Sequence, residues 1–464
     1  MRWTADTLTQ DAGGRLVQRS HRRIEGVFID SREPLDGGLF VPIVAARDGH
    51  DFIESAVSGG AAAVLVRAGH PVPASASAVT VVEVDDTLQA LTRLARRCRD
   101  RFQGPVVAIT GSNGKTTTRA MIAAVAGSAH AKVLCTRGNL NNHLGVPLTM
   151  LGEPHEPEVM VLELGMSAPG ENDHLASFVR PTVHVITSVA LEHLEFMGSI
   201  EAIAQAEAEP IRHLTPDGAL VLPSDEPLLE PHVPIGQAGH PAVLRFGPDD
   251  RAAVRVLEVE TDERTTARIR LRHGHEVAVR LRLFGAHNAR NAAAALAVGE
   301  HLGFAVGPMV EALERVEPVG DRGRVLHLRD HLLVADCYNA NPGSVEVALR
   351  SLASLRARRA GPLVAVLGDM LELGPREREL HASVGRLAAA LGLDAVVGFG
   401  PRSIATVEAA RKGGIEATHV EEDPIAAVRA VRESLDATSR GAVLVKASRG
   451  MRLERVVEQL LDET

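Results

Sequence analysis

Residues Ala108–Thr118 read Ala-Ile-Thr-Gly-Ser-Asn-Gly-Lys-Thr-Thr-Thr, and this run has the residue types needed to grip a polyphosphate. The apolar stretch Val106–Ile109 predicts a buried strand and Arg119–Val125 predicts a helix. A glycine-rich turn between them would aim backbone N–H groups and a helix dipole at an anion. Lys115 would add a point charge, and the Thr116 hydroxyl could hold Mg²⁺. The spacing departs from the usual G-x-x-x-x-G-K-[ST], because Ile109 stands where the first glycine would be. Lysine usage sharpens the reading: of 50 basic residues only Lys115, Lys132, Lys412 and Lys446 are lysine. A forked guanidinium is too broad to replace a point charge against a triphosphate, so a lysine kept in this turn is there for chemistry.

Glu163 closes the apolar run Val161-Leu162-Glu163 at a predicted strand end, where open α/β sheets bind ligands, and is placed to reach Mg²⁺ near the phosphates. His193 follows the next predicted strand, in the acidic run Glu192-His193-Leu194-Glu195. A capping glutamate and a surface histidine would explain each alone; together, after a phosphate loop, they point to a metal–nucleotide site. Gly138–Pro147 is a polar knot whose amides could meet a peptide-like ligand, an Asx-bonded turn being the simpler reading. Asp336–Pro342 contains the only tyrosine, Tyr338, between a predicted strand and helix, where ligand contact and N-capping compete as explanations.

These residues need a scaffold. A chain of 464 residues holds about three domains on size alone. Residues 1–103 read as a small α/β unit, with strands at Gly38–Val44 and Ala62–Val66 around a helix at Phe52–Val57, and Arg99–Pro105 as a linker. Residues 104–315 read as a P-loop-type, mostly parallel sheet, with an antiparallel hairpin at Arg268–Arg272 and Val277–Leu283 whose arginines form a solvated face. From residue 316 to 464 the strand–helix alternation restarts as a Rossmann-like unit, with strands at Leu332–Ala335, Leu363–Leu367, Ala395–Gly398 and Ala442–Val445. The expected class is therefore α/β with three domains. A net charge of −9 argues against general binding to nucleic acid or anionic membranes. Three cysteines without metal-ligand spacing, no apolar signal core and no membrane-spanning run lead us to expect a cytoplasmic protein.

The chain resembles the Mur ligase family of ATP-dependent amide-forming enzymes along nearly its whole length. Asp30-Ser31-Arg32 and Asp48–Phe52 resemble the part that holds a UDP-sugar. Thr110–Thr117, Gly138–Asn142, Glu163, His193–Glu195 and Gly285–Ala292 match the central domain. Gly323-Arg324, Asp336–Pro342, Leu367–Gly374 and Lys446–Arg452 resemble the last domain of the member whose incoming amine is a dipeptide. The resemblance implies ATP and Mg²⁺ as cofactors, a UDP-muramyl tripeptide and D-alanyl-D-alanine as substrates, and a monomer.

It also implies roles. Gly111, Ser112, Asn113, Gly114, Lys115, Thr116 and Thr117 would bind the ATP phosphates, and Thr116, Glu163 and His193 would serve metal. Asn288 and Asn291 would contact the adenine side, with Arg324 and Asp336 reaching over from the last domain. Ser31, Arg32, Asn139, Asn141 and Asn142 would contact the UDP-peptide substrate, and Tyr338, Asn339 and Asn341 the dipeptide. Lys115, Glu163, His193 and Glu207 would be catalytic. In one departure, Glu207 stands where the family has a lysine, carbamylated to supply an anion, in an Ala-Lys-Gly-Glu segment. A carboxylate keeps that negative end on a shorter stem; the competing reading is a solvated helix residue. Ser167-Ala168 and Ser188 also differ from the family's usual residues, which keeps open a ligase for another amino acid or peptide. A nucleotide-binding protein that has lost ligation is the remaining alternative; Lys115, Glu163, His193 and Asp336 argue against it.

Overall fold

The structure is a computed structural model that describes residues 2–234, 241–435 and 440–462. Strand Val106–Thr110 is buried along its full length, because parallel strands flank it on both sides. Glu163 of strand Val159–Glu163 pairs with Ile109, and Val185 of strand Val183–Ile186 pairs with the same residue from the other side. A strand buried on both faces carries a continuous apolar run, as the sequence shows. The phosphate loop, Glu163 and the segment after Ile186 thus leave the sheet together, at the C-terminal ends of its parallel strands.

The sheet has nine strands. From Val106–Thr110 it continues through Val183–Ile186, Ala219–Pro223, Ala242–Gly247 and Val254–Thr261 to the hairpin Thr265–Arg270 and Glu276–Leu281. The antiparallel hairpin is where the alternation predicts it, and Arg268 and Arg270 lie exposed, paired with Glu258 and Glu276. The sequence reading missed that the hairpin pairs onward with Val254–Thr261 and so extends the nucleotide sheet. Helices Lys115–Gly127 and His287–His301 share a core in which Met121, Ile122 and Val125 meet the alanine run Ala292–Ala295. Those small side chains let the second helix lie close, which brings its first turn to the phosphate loop.

The N-terminal residues form a five-stranded sheet whose order is Arg15–Gln18, Thr80–Val84, Ala63–Arg67, Leu39–Phe40 and Val27–Phe28. The segment expected as a linker is not a tether: helix Thr87–Arg101 runs through its first half. Arg99 donates to the Val179 and Arg180 carbonyls, and Arg101 grips Asp11 at 2.7 Å. Leu91 and Leu94 of this helix enter one core with Ala108 and Leu162 of the central sheet. The C-terminal sheet has six strands, in the order Arg324–Leu328, His331–Ala335, Ala442–Lys446, Leu363–Gly368, Ala395–Phe399 and Glu416–Val420. Its first strand is antiparallel and the others run parallel, as in a Rossmann-like sheet. Among the described residues no helix is long and apolar enough to cross a membrane.

Candidate active site

Gly111 must be glycine. Its φ is +121°, and a Cβ there would lie 2.1 Å from Thr187 Oγ1. Thr187 and Ser188 lace the loop from the neighbouring strand end: Asn113 N–H donates to Ser188 Oγ at 3.0 Å, and Ser112 N–H to the Ser188 carbonyl at 2.9 Å. The Ser112 hydroxyl donates to the Ala190 carbonyl at 3.1 Å, so its side chain supports the loop. Gly114 starts the helix with φ +85° and no side-chain cap. The first intrahelical bond is Thr118 N to Gly114 O, which leaves the N–H groups of Lys115, Thr116 and Thr117 aimed at the cleft.

Lys115 folds over this turn. Its Nζ donates to the Gly111 carbonyl at 2.5 Å and lies 3.8 Å from Glu192 Oε1. Burial works against its charge, but Glu192, Glu207 and Glu163 outweigh burial and raise its pKa. Glu207 is 1 % exposed, which removes the reading of a solvated helix residue. Its Oε2 accepts the Gly111 N–H at 2.7 Å, and its buried Oε1 has no hydrogen-bond partner among the described residues. Burial raises the pKa of Glu207, partly offset by Lys115 and the Gly111 N–H. Burial likewise pushes Glu192 up to about 8, with Lys115 pulling it back and Glu207 adding to the rise. Glu192 is a site residue the sequence reading passed over; its signal was its place beside His193 at a strand end.

Glu163 meets the loop from the other side, with Oε1 accepting from Thr116 Oγ1 at 3.3 Å and from Asn141 Nδ2 at 3.1 Å. Its Oε2 lies 3.4 Å from Arg119 and has no hydrogen-bond partner among the described residues. A buried hydroxyl and a carboxylate with an unused oxygen are hard donors of the kind Mg²⁺ takes, so the residues fit that ion. His193 sits at φ +47° with Nδ1 2.5 Å from Glu372 Oε2 of the C-terminal unit. That carboxylate fixes the ring and leaves Nε2 as the nitrogen that could take a metal.

Asn291 lies against the loop, its Oδ1 only 2.9 Å from where a Gly114 Cβ would be, and its amide donates to Asn288 Oδ1 at 3.0 Å. Asn288 in turn donates to the Phe284 carbonyl at 2.8 Å. Asn341, expected near the dipeptide, also has a role within the fold. Its Oδ1 caps helix Pro342–Ser354 through Ser344 N at 2.8 Å, and its amide donates to Asn113 Oδ1 at 3.0 Å. It therefore docks the C-terminal unit onto the phosphate loop. Asn339 is exposed, and its carbonyl accepts from Lys446, whose Nζ also holds Asp336 at 2.7 Å. Arg324 is exposed on an edge strand and pairs with Asp321. Two residues earlier, half-buried Arg322 packs over the Tyr338 ring, 3.7 Å from its centroid, within the field of Glu163 and Asp336. Arg322 was missed, and Lys446 was matched only as part of a segment, with no role of its own; its signal was again the scarcity of lysine.

Elsewhere the expected substrate residues are more dispersed. Asn142 Oδ1 accepts from the Leu144 and Gly145 N–H groups, the Asx turn weighed above, while Asn139 is exposed. Arg32 is exposed and folded back on Asp30 at 2.6 Å, beside half-buried Ser31. Asp48, His50 and His70 cluster in this unit, but His50 has no ring nitrogen left for a metal. Its Nδ1 bonds Asp48 at 2.6 Å and its Nε2 accepts the Arg67 N–H at 3.0 Å.

The Mur ligase middle domain family matches residues 109–299, and the family described as "Mur ligase, glutamate ligase domain" matches residues 321–449. The chain is 36% identical over 447 residues to a UDP-N-acetylmuramoyl-tripeptide–D-alanyl-D-alanine ligase of Bacillus subtilis, covering 95% of this chain and 93% of that one. The Escherichia coli enzyme of the same name is 33% identical over 469 residues, 98% of each chain. A crystal structure of MurF from Acinetobacter baumannii superposes with a TM-score of 0.87 at 29% identity, over 100% of this chain and 99% of that one. MurF from Thermotoga maritima in complex with ADP gives 0.81 at 29% identity, over 95% and 99%. With a phosphate loop, buried carboxylates and a docked C-terminal unit at one cleft, and relatives matched from end to end, the chain belongs to the Mur ligase family.

Proposed function

We propose that this chain is an ATP-dependent ligase that joins D-alanyl-D-alanine to a UDP-N-acetylmuramoyl tripeptide. The observation that carries the proposal is the 36% identity over 447 residues to a ligase of that name. In this reading the free N–H groups of the loop and Lys115 take the ATP phosphates. Lys115 leaves the Gly111 carbonyl to follow the charge of the transferring phosphoryl group. The tripeptide's terminal carboxylate attacks the γ-phosphorus, so that a C–O–P bond forms, ADP leaves, and the product is an acyl phosphate. The dipeptide amine attacks the acyl carbon, loses a proton, and expels inorganic phosphate as the amide forms. Thr116, Glu163 and His193 would hold Mg²⁺, which supplies charge neutralisation on the phosphates. Glu207 holds the Gly111 N–H and balances Lys115 without a carbamate. Asn341 keeps the C-terminal unit against the loop, so that the amine approaches with water excluded. The setting we propose is a cytoplasmic monomer.

The test is to incubate the purified protein with ATP, Mg²⁺ and UDP-muramyl tripeptide, with and without D-alanyl-D-alanine. ADP release that depends on the dipeptide, with the pentapeptide product seen by mass spectrometry, is the expected result. Ser167 and Ala168 keep another acceptor in view, and a panel of amino acids and dipeptides decides between them. ADP release that no acceptor stimulates would sink both readings.

A further inference from the structure

Most cations on the loops that meet at the cleft already have a carboxylate. Arg119 has Glu163 at 3.4 Å, Lys446 has Asp336 at 2.7 Å, and Arg324 has Asp321 at 3.1 Å. Arg322 differs. Its guanidinium is half-buried over the Tyr338 ring, and among the described residues no carboxylate lies within ion-pair distance of it. It is nonetheless close enough to the phosphate loop for Lys115 to feel its charge, and it lies in the field of Glu163 and Asp336. A second cation, Arg449, stands 5.7 Å from the same ring. A half-buried guanidinium without an anion of its own is costly to keep, and an arriving anion relieves that cost.

We propose that Arg322, stacked on Tyr338, receives the terminal carboxylate of the incoming dipeptide. The inference rests on the ligase reading above. Stacking covers one face of the guanidinium and pre-orients its N–H edge, the geometry that binds a carboxylate bidentately. The ATP phosphates have their own donors in Lys115 and the loop N–H groups. The dipeptide brings one negative charge and must be held with its amine free, and Arg322 reaches the cleft from the same unit as Tyr338 and Asn339. Gly323, at φ +71°, makes the turn that separates Arg322 from solvent-facing Arg324.

The experiment compares D-alanyl-D-alanine with its C-terminal carboxamide as acceptors, in the wild type and in Arg322→Met, Arg322→Lys and Tyr338→Leu. In the wild type, losing a charge-assisted bond should lower kcat/KM for the amide by roughly 10- to 100-fold. Arg322→Met should abolish that preference by slowing the acid alone, Arg322→Lys should retain part of it, and Tyr338→Leu should weaken it. ADP affinity, measured by calorimetry, should stay within about two-fold of wild type in all three. A preference for the acid that survives in Arg322→Met overturns the assignment. So does a fall in ADP or ATP affinity with the preference intact, which would give the guanidinium to the phosphates. Wild-type protein that turns over neither acceptor refutes the ligase reading, and this inference with it.

Discussion

Glu207→Gln keeps the size and shape of the side chain and removes its charge. Two effects follow. The Gly111 N–H, now 2.7 Å from a carboxylate oxygen, would bond a neutral amide oxygen. A bond to an ionised acceptor contributes about 1.5–3 kcal/mol and a neutral one about 0.5–1.5 kcal/mol, so the loss is about 1–1.5 kcal/mol, or roughly ten-fold in rate. The second effect acts through Lys115. The charge of Glu207 helps to raise the pKa of Glu192, and removing it lets Glu192 ionise more readily. At 3.8 Å and an effective dielectric of about 20, an ionised Glu192 would hold Lys115 with about 4 kcal/mol of Coulomb energy. Lys115 would then leave for the phosphates less readily. We expect kcat to fall by about ten-fold or more, with a weaker response to Mg²⁺. Steady-state phosphate release across a Mg²⁺ titration measures both. Because a carboxylate does not exchange with CO₂, added bicarbonate should leave wild-type activity unchanged. Unaltered turnover and Mg²⁺ response in Glu207→Gln would refute the reasoning and reduce Glu207 to a packing residue.

Lys115→Ala should lower turnover by on the order of 100-fold or more while the circular dichroism spectrum keeps its wild-type form; near-normal turnover would remove Lys115 from the site. Asn341→Ala loses both the helix cap and the Asn113 contact and should cost about 1–2 kcal/mol of stability; Asn341→Asp keeps the cap alone, so a melting temperature near wild type with reduced turnover separates the two roles. Glu192, raised to about 8 in the fold by burial and by Glu207, is protonated more readily folded than unfolded. Its favourable contribution is therefore complete below its ordinary value near 4.5 and is lost as pH rises through 8, so the melting temperature should fall over that interval more steeply in the wild type than in Glu192→Gln; parallel curves would refute this.

The phosphate loop was legible because its chemistry is local. Glycines, a lysine and threonines within eight consecutive positions build an anion-binding helix start whatever surrounds them, and an apolar run before them can only be a buried strand. Glu163 was legible for the same reason, as a strand end declares itself. Glu207 was found by matching a motif, yet its neighbourhood was not readable, because the Gly111 N–H it accepts lies 96 positions away. Nor could the sequence show that Asn341, 228 positions from Asn113, would spend one amide N–H on docking the C-terminal unit against the phosphate loop. The clearest case is Asp321-Arg322-Gly323-Arg324. By composition the two arginines are equivalent, and a motif singles out the second. A left-handed turn at Gly323 and the edge-strand pairing of Arg324 with Ala335 leave Arg324 in solvent, while Arg322 packs on Tyr338. By itself the sequence determined which groups could touch a phosphate, since residue type and spacing suffice for that. Which charges are paired, and which cation among the described residues is left without a carboxylate, only the tertiary structure decided, because pairing depends on distances between segments that periodicity does not encode.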